Sequence, residues 1–294
     1  MSYLTDEIAS QPECWSAAID LVASPVTAGT LPVPGERVAV VGCGSSLNVA
    51  RAYALLRETA GHGPTDAYPA SEVLTSRHYD HMLFISRTGT TSEVLSALRQ
   101  APSGIITTSL TADRSASLAL ETSNLVLLDF ANERSVVSSR FITSAIVLLR
   151  AHLGQDVSFL PAAATAELAR PEPAGLAGHE EYTFLGSGWA SFVADEAALK
   201  LREASQTWAE SYPAMEYRHG PISVSDENTV VWAIGEIPDS LAADAARTGA
   251  TVLAPGGDPL IGLIGAQRLA ASLAARKGID PDHPRALSRS VILA

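Results

Sequence analysis

Cysteine is scarce in this chain, and long hydrophobic runs are missing altogether. The 294 residues include two cysteines, Cys14 and Cys43, which are too few for a disulfide framework or a cysteine-based zinc cluster. No apolar stretch approaches the roughly 20 residues that a membrane-spanning helix needs. The first residues have neither the basic nor the apolar region of a secretory signal peptide. We therefore predict a cytoplasmic protein that works in a reducing compartment and does not cross a membrane.

Positive charge is also in short supply. The chain has 20 lysine and arginine residues against 32 acidic ones, which gives a formal net charge of -12. A basic surface for nucleic acid is therefore not expected, and an anionic ligand has to be held by local donors. Only two of the basic residues are lysines, Lys200 and Lys277. Lysine carries a compact ammonium group that can lose its proton, so Lys200 is a candidate functional residue.

An internal repeat indicates the architecture. Val41–Ala50 aligns with Leu185–Ala194, and each segment has a Gly-x-Gly turn between a β-rich run and a helix-forming stretch. Neither turn extends to the Gly-x-Gly-x-x-Gly pattern of dinucleotide-binding proteins. Elsewhere short apolar strands alternate with helices, which is typical of parallel sheets. We therefore predict an α/β protein with two flavodoxin-like domains, residues 1–170 with a lead-in helix and residues 176–294, joined by a Pro-rich linker.

A polar loop follows one of the predicted strands. His81–Ile85 has the composition of a buried strand, and Ser86–Glu93 then brings hydroxyl groups, a glycine and Arg87 to the start of a helix. Backbone N–H groups and hydroxyls at a helix N-terminus form a cradle for an anion. Ser45 and Ser46 are expected at the same edge of the sheet, so we predict a site there for a phosphate monoester. The alternative is a cluster of helix caps without a ligand.

A stripe of charged residues on a predicted helix is the second candidate site. Glu196, Lys200 and Glu203 are spaced i, i+4 and i+7 in a helix-forming stretch, so they face the same way. A carboxylate, an ammonium group and the nearby His219 are the groups needed to move protons on a polar substrate. Two alternatives remain. The first is that the stripe is only an exposed row of salt bridges. The second is that His219 has a structural role and only holds its own loop together.

Taken together, these motifs resemble the SIS (sugar isomerase) family. The resemblance is to members with two SIS domains, such as the isomerase domain of glucosamine-6-phosphate synthase and the amino-sugar-phosphate deaminase/isomerases. It covers nearly the whole chain. The matching segments are Gly42–Ser46, Ala70–Glu72, Ser86–Thr91, Ser135–Ser139, Leu185–Gly188, Glu196–Glu203, Arg218–Pro221 and Asp282–Arg285.

The resemblance implies a role for each candidate residue. Ser138 would contact the sugar, and Glu203 would move a proton between C1 and C2. Lys200 would support the enediol or enolamine intermediate beside Glu196. His219 would open the sugar ring, and in the family it comes from the neighbouring subunit, so a homodimer with shared active sites is implied. No cofactor or metal is expected. The sugar phosphate would be held by Ser45, Ser46, Ser86, Arg87, Thr88 and Thr91.

The sequence departs from the family in three respects. The synthases have an N-terminal glutaminase domain, which is not expected here because the SIS region begins almost at once after Met1 and Ser2. The C-terminal lysine with which the synthases reach the sugar is replaced by Arg289, which keeps the charge but not the shape. Ala254–Gly262 is too short to contain an expected strand, so the second sheet should be trimmed.

The sequence therefore predicts an aldose–ketose isomerase of phosphosugars, specifically an amino-sugar-phosphate deaminase/isomerase without a glutaminase domain. Two alternatives remain open. One is an isomerase or deglycase that acts on another phosphosugar or phosphosugar adduct. The other is a phosphosugar-binding sensor without catalytic activity, which would usually carry a helix-turn-helix domain and would have no use for a base, a lysine and a histidine.

Overall fold

The structure is a computed structural model, and it describes residues 2–74, 76–171 and 175–293. The chain packs into two compact units, called the N-terminal unit and the C-terminal unit below. Helix α1 (Tyr3–Ala9) opens the chain and belongs to the C-terminal unit. In the described part of the chain, every helix is too short or too polar to span a membrane. The predicted linker Arg170–Gly175 includes 172–174, which lie outside the described residues.

The N-terminal unit comprises Ser10–Arg134, Ser138–Pro161 and the residues from Ser288 onwards. Its strands are β1 (Val38–Gly42), β2 (Thr65–Pro69), β3 (His81–Ile85), β4 (Ile106–Thr111) and β5 (Asn124–Leu127). They form a parallel sheet in the order β2-β1-β3-β4-β5. Its helices are α2 (Gln11–Ala23), α3 (Pro25–Ala28), α4 (Ser45–Thr59), α5 (Ser92–Arg99), α6 (Ser117–Glu121) and α7 (Arg140–His152). Short 3₁₀ turns span Ala70–Glu72 and Asp129–Ala131.

This sheet is covered on both faces because its central strands are continuously apolar. All residues of β1 and β3 are buried, as expected for parallel strands between two layers of helices. On one face, Val41 and Phe84 pack with Val94 of α5 and Leu118 of α6. Helix α4 contacts β1 and β2 and also α7, which packs against α2. In such a sheet, ligands bind beyond the carboxyl ends of the strands.

The C-terminal unit comprises the residues up to Ala9, Ser135–Val137 and Ala162–Leu287. Its strands are β6 (Glu181–Gly186), β7 (Trp208–Pro213), β8 (Thr229–Ile234) and β9 (Thr251–Leu253). They form a parallel sheet in the order β7-β6-β8-β9. Its further helices are α8 (Leu160–Ala169), whose first two residues fall in the N-terminal unit, α9 (Ala190–Ser205), α10 (Asp239–Ala246) and α11 (Pro259–Lys277). Short 3₁₀ turns span Leu176–Gly178, Ala214–His219 and Pro221–Val224.

Helices cover this second sheet as well. Helices α9 and α11 pack against each other, and both contact β8. A separate apolar cluster joins Leu185 of β6 and Val231 of β8 to Tyr217 and to Leu241 of α10. Because this cluster includes Ala214 and Tyr217, it holds the turn Ala214–His219 beside the end of β7. His219 therefore lies beyond the carboxyl edge of the sheet.

The internal repeat has a common physical cause in both units. A Cβ atom on Gly42 would lie 2.6 Å from the backbone carbon of Ser46, and one on Gly186 would lie 2.2 Å from the carbonyl oxygen of Ala190. Both distances are far below a van der Waals contact. The glycine that ends each first strand therefore lets the next helix begin directly against the strand end.

The predicted fold class is confirmed. The chain is an α/β protein with two parallel sheets of the flavodoxin-like order, and the second sheet has four strands in the described residues against five in the first. The strand missing from the second sheet is explained by the short connection between β9 and α11. The units differ from contiguous domains, because three short segments pack with the other half of the chain. The domain boundary at 170–176 stays a prediction.

Strands β2 and β7 were not predicted from the sequence. Each lies at the edge of its sheet, where it pairs with a single neighbour. An edge strand has one side open to solvent, so it does not need the continuous apolar run that identifies a buried strand. Both segments mix acidic, hydroxyl and aromatic residues and end in proline.

Candidate active site

Two loops of the N-terminal unit lie at the carboxyl ends of neighbouring strands. Strands β1 and β3 pair in parallel, with Val41 opposite Phe84. Ser45 and Ser46 begin α4 just after β1, and the loop Ser86–Thr91 joins β3 to α5. Both helices therefore present their N-terminal N–H groups to the same edge of the sheet, where a negative charge is favoured.

The hydroxyl groups of the second loop are gathered around Ser290. Thr88 and Thr90 donate hydrogen bonds to its hydroxyl at 3.3 and 3.0 Å, and the Thr91 hydroxyl lies 3.4 Å from it. Ser86 accepts a hydrogen bond from the backbone N–H of residue 89 at 3.1 Å, which holds the turn closed. Two of the three distances to Ser290 are long for bonds between hydroxyls. These groups are therefore weakly engaged and can donate to an anion instead.

Arg87 is paired with a buried carboxylate. Its Nη1 lies 2.9 Å from Oε2 of Glu133, and the two side chains are 8% and 0% exposed. Glu133 also accepts hydrogen bonds from the hydroxyl of Ser138 at 2.8 Å and from the backbone N–H of Ser139 at 2.6 Å. Burial works against the charged carboxylate, but Arg87 and these hydrogen bonds hold the pKa of Glu133 below its ordinary value. The positive charge that Arg87 brings to the predicted phosphate loop is therefore offset by the buried carboxylate of Glu133.

The C-terminal residues run alongside the same loop. The backbone N–H of Ser92 donates to the carbonyl of Val291 at 3.1 Å. Arg289 donates from Nη2 to Oδ1 of Asn132 at 2.7 Å, and its carbonyl accepts from Arg87 at 3.5 Å. Within the N-terminal unit the fold thus collects the predicted phosphate-binding loop, Ser138 and Arg289 in one hydrogen-bonded cluster.

The charged stripe of the C-terminal unit is buried. The Nζ atom of Lys200 lies 3.1 Å from Glu196 Oε1 and 2.6 Å from Glu203 Oε2. The side chains of Lys200 and Glu196 are 1% and 2% exposed, whereas that of Glu203 is 21% exposed. The alternative of a solvent-exposed row of salt bridges is therefore wrong. Glu203 is the member of the stripe that a substrate in solution can reach.

The two carboxylates control the charge of Lys200. Burial alone would lower the pKa of its ammonium group, but Glu196 and Glu203 more than compensate and raise the pKa above its ordinary value. The lysine is therefore held protonated, which suits a group that stabilises negative charge better than a group that exchanges protons. This corrects the suggestion from composition that Lys200 was kept for its ability to deprotonate.

The histidine lies on an exposed turn that its neighbours hold in place. Arg218 donates hydrogen bonds to Asp244 at 2.6 Å and to Ser240 at 2.9 Å. Tyr217 is buried, and its hydroxyl is hydrogen-bonded to that of Ser225 at 2.5 Å. His219 itself is exposed. The turn is therefore anchored by the residues before the histidine, while its imidazole faces solvent.

Comparison with known proteins identifies the family. No model of a known protein family matches the chain. The glutamine–fructose-6-phosphate aminotransferase (isomerizing) of Symbiobacterium thermophilum is 30% identical over 87% of this chain and 51% of that protein. The crystal structure of glucosamine-6-phosphate deaminase from Thermotoga maritima matches with a TM-score of 0.80 at 25% identity, over 99% of this chain and 100% of that chain. The chain is an SIS-domain protein.

The fold of this SIS-domain protein recurs in more distant structures. Tagatose-6-phosphate ketose/aldose isomerase from Escherichia coli shares 18% identity and a TM-score of 0.80 over 97% of both chains, which establishes a common fold. The chain spans about half the length of the curated relatives it matches. The resemblance noted from the sequence is thus confirmed at the level of the family, and the residue roles that it implied stay predictions.

Three contributors to the site of this SIS-domain protein were missed from the sequence. Glu133, Asn132 and Ser290 hold Arg87, Arg289 and the threonine hydroxyls respectively. A buried arginine needs a buried acidic partner, so the position of Arg87 called for one. Nothing in the sequence singles out Glu133 from the other acidic residues. Among the described residues, no group of three or more His, Cys, Asp or Glu side chains is placed to hold a metal ion.

Proposed function

We propose that this SIS-domain protein catalyses aldose–ketose isomerisation of a sugar phosphate, and that it acts on an amino sugar phosphate with release of ammonia. Its relatives include an aminotransferase named for fructose 6-phosphate and a deaminase named for glucosamine 6-phosphate. The proposal rests on what the side chains of this chain can do to such a molecule.

Proton transfer between adjacent carbons is assigned to Glu203. In the open-chain form of a 2-amino aldose, the carboxylate takes the proton from C2 and returns it to C1. The intermediate is an enolamine, with a double bond between C1 and C2 and a hydroxyl on C1. Return of the proton to C1 leaves an imine at C2. Water then adds to C2 and the C2–N bond breaks, which releases ammonia and forms the 2-ketose. Lys200 stabilises the negative charge that develops on O1, as a fixed cation in a dry environment does most effectively.

Ring opening is assigned to His219, and phosphate binding to the hydroxyl-rich loops. Imidazole gives and takes protons near neutral pH, and the ring of His219 is exposed on an anchored turn. Ser45 and Ser46 begin α4, and Thr88 lies in the loop before α5, so hydroxyls, backbone N–H groups and helix dipoles are all available to bind the phosphate. We assign Arg87 to this set as a positioning residue, since Glu133 offsets its charge.

The observation that carries the proposal is the unequal burial of the charged stripe. Burying an ammonium group between two carboxylates costs desolvation free energy that a surface pair would avoid. In return, the arrangement holds a charged lysine beside Glu203, and Glu203 is the more exposed of the two carboxylates. A reachable base next to a fixed cation is the arrangement that isomerisation through an enolamine requires.

The test is to incubate the purified protein with glucosamine 6-phosphate, galactosamine 6-phosphate and fructose 6-phosphate, and to measure ammonia and the sugar products. The Glu203→Gln variant should lose about 10²–10⁴-fold in rate while it still binds the substrate in calorimetry. Glu227→Gln, which removes an exposed carboxylate of the same unit, is the matched control and should retain activity.

Each outcome separates the proposal from its alternatives. Conversion of fructose 6-phosphate to an aldose, without ammonia from either amino sugar, would replace the deaminase by a plain isomerase. Tight binding of these phosphosugars without any turnover would instead favour a sensor that has no catalytic activity. Full activity in the Glu203→Gln variant would contradict the assignment of the base.

A further inference from the structure

The short connection between β9 and α11 borders a pocket that the proposed chemistry does not use. In the described residues β9 pairs with β8 alone, and Trp232 of β8 lies opposite Leu253 of β9. Beside this edge of the sheet, within the C-terminal unit, lies a pocket of about 400 Å³. Its walls include Glu167, Arg170, Trp232, Leu253, Pro255 and Ile261. None of the described residues that line it is assigned above to catalysis or to phosphate binding.

The end of α8 is fixed in place at this pocket by Arg268 of α11. The Nη1 atom of Arg268 donates to the carbonyl of Glu167 at 2.8 Å, and its Nη2 donates to the carbonyl of Arg170 at 2.7 Å. One planar guanidinium group therefore holds both carbonyls in a single arrangement. The wall that carries the side chains of Glu167 and Arg170 is thus preformed, as is usual for small-molecule sites.

The charges around the pocket favour a cation. The side chain of Glu167 is 18% exposed, and its partner Arg170, at 3.2 Å, is 71% exposed, so solvent screens this ion pair. A second carboxylate lies at the rim, because a Cβ atom on Gly256 would come within 2.7 Å of Glu236 Oε1. Among the described residues that line the pocket, Arg170 is the single basic one, and the whole chain has a net charge of -12. A phosphate is therefore disfavoured here, whereas an organic cation is favoured.

Trp232 adds a buried hydrogen-bond donor to the wall. Its side chain is 5% exposed, and its Nε1 has no hydrogen-bond partner among the described residues. A buried N–H group without an acceptor costs free energy that an acceptor on a ligand would recover. A Cβ atom on Gly265 would lie 3.0 Å from Trp232 Cζ2 and 3.6 Å from Glu167 Oε1. The indole and the carboxylate are therefore neighbours, and one small ligand can contact both.

We propose that this pocket binds a small organic ammonium ion that has an apolar body and a hydrogen-bond acceptor. The ammonium group pairs with Glu167, and the acceptor takes the N–H of Trp232. The body packs against the apolar side chains of Leu253, Pro255 and Ile261. The site uses neither the catalytic base nor the phosphate loop, so it does not depend on the proposed function.

Three probes of similar size separate the two polar contacts. Tyramine has an ammonium group and a phenol oxygen, 4-ethylphenol lacks the ammonium group, and phenethylamine lacks the oxygen. In calorimetry tyramine should bind about tenfold or more tighter than 4-ethylphenol, and about two- to tenfold tighter than phenethylamine, because a hydrogen bond to a charged group contributes more than a neutral one. Glu167→Gln should bind tyramine and 4-ethylphenol about equally. Glu227→Gln, which removes an exposed carboxylate of the same unit outside the pocket, should keep the preference for tyramine.

The indole N–H signals in NMR report on the second contact. The chain has four tryptophans, and Trp232→Phe identifies the signal of Trp232 by its loss. Saturating tyramine should move this signal downfield in the wild type, because the proton becomes hydrogen-bonded, and phenethylamine should not. Trp232→Phe should bind tyramine no better than phenethylamine, whereas Trp208→Phe, which removes a 67% exposed indole outside the pocket, should keep the difference. If Trp232→Phe does not fold, a downfield shift of one indole signal by tyramine alone is the same test.

Three results would overturn the inference. No saturable binding of tyramine to the wild type means that the pocket holds water only. Equal binding of tyramine and 4-ethylphenol to the wild type removes Glu167 from the site. Loss of tyramine binding in Glu203→Gln places the amine in the candidate active site instead. The turnover assays with phosphosugars decide the proposed function separately, whichever of these results is found.

Discussion

Replacing Glu133 by glutamine should destabilise the N-terminal unit strongly. The change keeps the shape of the side chain but removes the negative charge that faces the Arg87 guanidinium at 2.9 Å, where both side chains are almost completely buried. Removing one partner of a buried ion pair typically costs about 3–5 kcal/mol, because the remaining charge has lost both water and its partner. For a domain of this size, each kcal/mol lowers Tm by about 2–4 °C. The expected fall is therefore about 6–20 °C.

Thermal unfolding followed by circular dichroism measures this loss, and two further variants test its cause. The double variant Arg87→Met/Glu133→Gln should be less destabilised than the sum of the two single variants, because the second change removes the charge that the first one leaves unpaired. The control is Arg77→Ala, which breaks an ion pair with Asp66 that is exposed to solvent. An exposed pair contributes little, so Tm should hardly change.

The pH dependence of the same variants gives a second readout. The folded-state pKa of Glu133 is depressed, so its stabilisation is complete above the unfolded value of about 4.5 and is lost as the pH falls through the folded value. Glu133→Gln should therefore lose less stability than the wild type over that acidic range. A Glu133→Gln protein that unfolds within a degree or two of Arg77→Ala would refute the idea of a buried pair, as would additive effects in the double variant.

Three further predictions follow from the site and the core. Thr88→Ala should weaken phosphosugar binding roughly tenfold to a hundredfold in calorimetry, since hydrogen bonds to a charged group contribute about 1.5–3 kcal/mol; unchanged affinity would mean that the loop only caps a helix. If His219 acts across a two-fold dimer, mixing inactive His219→Ala with inactive Glu203→Gln should restore about a quarter of wild-type activity, and no recovery despite subunit exchange would place the site in one chain. Burial depresses the pKa values of His81 and His152, so the folded state resists their protonation and Tm should fall as the pH drops below about 6.5; a constant Tm between pH 7.5 and 5.5 would contradict this.

The architecture could be predicted because its signals are local. A buried parallel strand such as His81–Ile85 must be apolar throughout, and the glycines of each Gly-x-Gly turn are required by the close approach of strand and helix. The edge strands β2 and β7 could not be found in this way, because their open side tolerates polar residues. The exchange of Ser135–Val137 and both chain ends between the units depends on packing over long sequence distances, for which a single sequence holds no signal.

The candidate site was predictable only in part, for a related reason. Glu196, Lys200 and Glu203 share one helix, so their spacing alone places them together. The partners of Arg87 and of the threonine hydroxyls are Glu133 and Ser290, which lie 46 and about 200 residues away. Sequence spacing also carries no information on burial. For this reason the charged stripe could equally have been an exposed row, and the buried partner of Arg87 was not predicted.

The central claim is that Glu203 moves a proton between C1 and C2 of a sugar phosphate. The most direct measurement is NMR of fructose 6-phosphate and glucosamine 6-phosphate incubated with the protein in deuterated water. We predict incorporation of solvent deuterium at C1 or C2 by the wild type, slowed by about 10²–10⁴-fold in the Glu203→Gln variant, with the Glu227→Gln control exchanging at the wild-type rate. Exchange at equal rates in the wild type and in Glu203→Gln, or none with any phosphosugar, would contradict the claim.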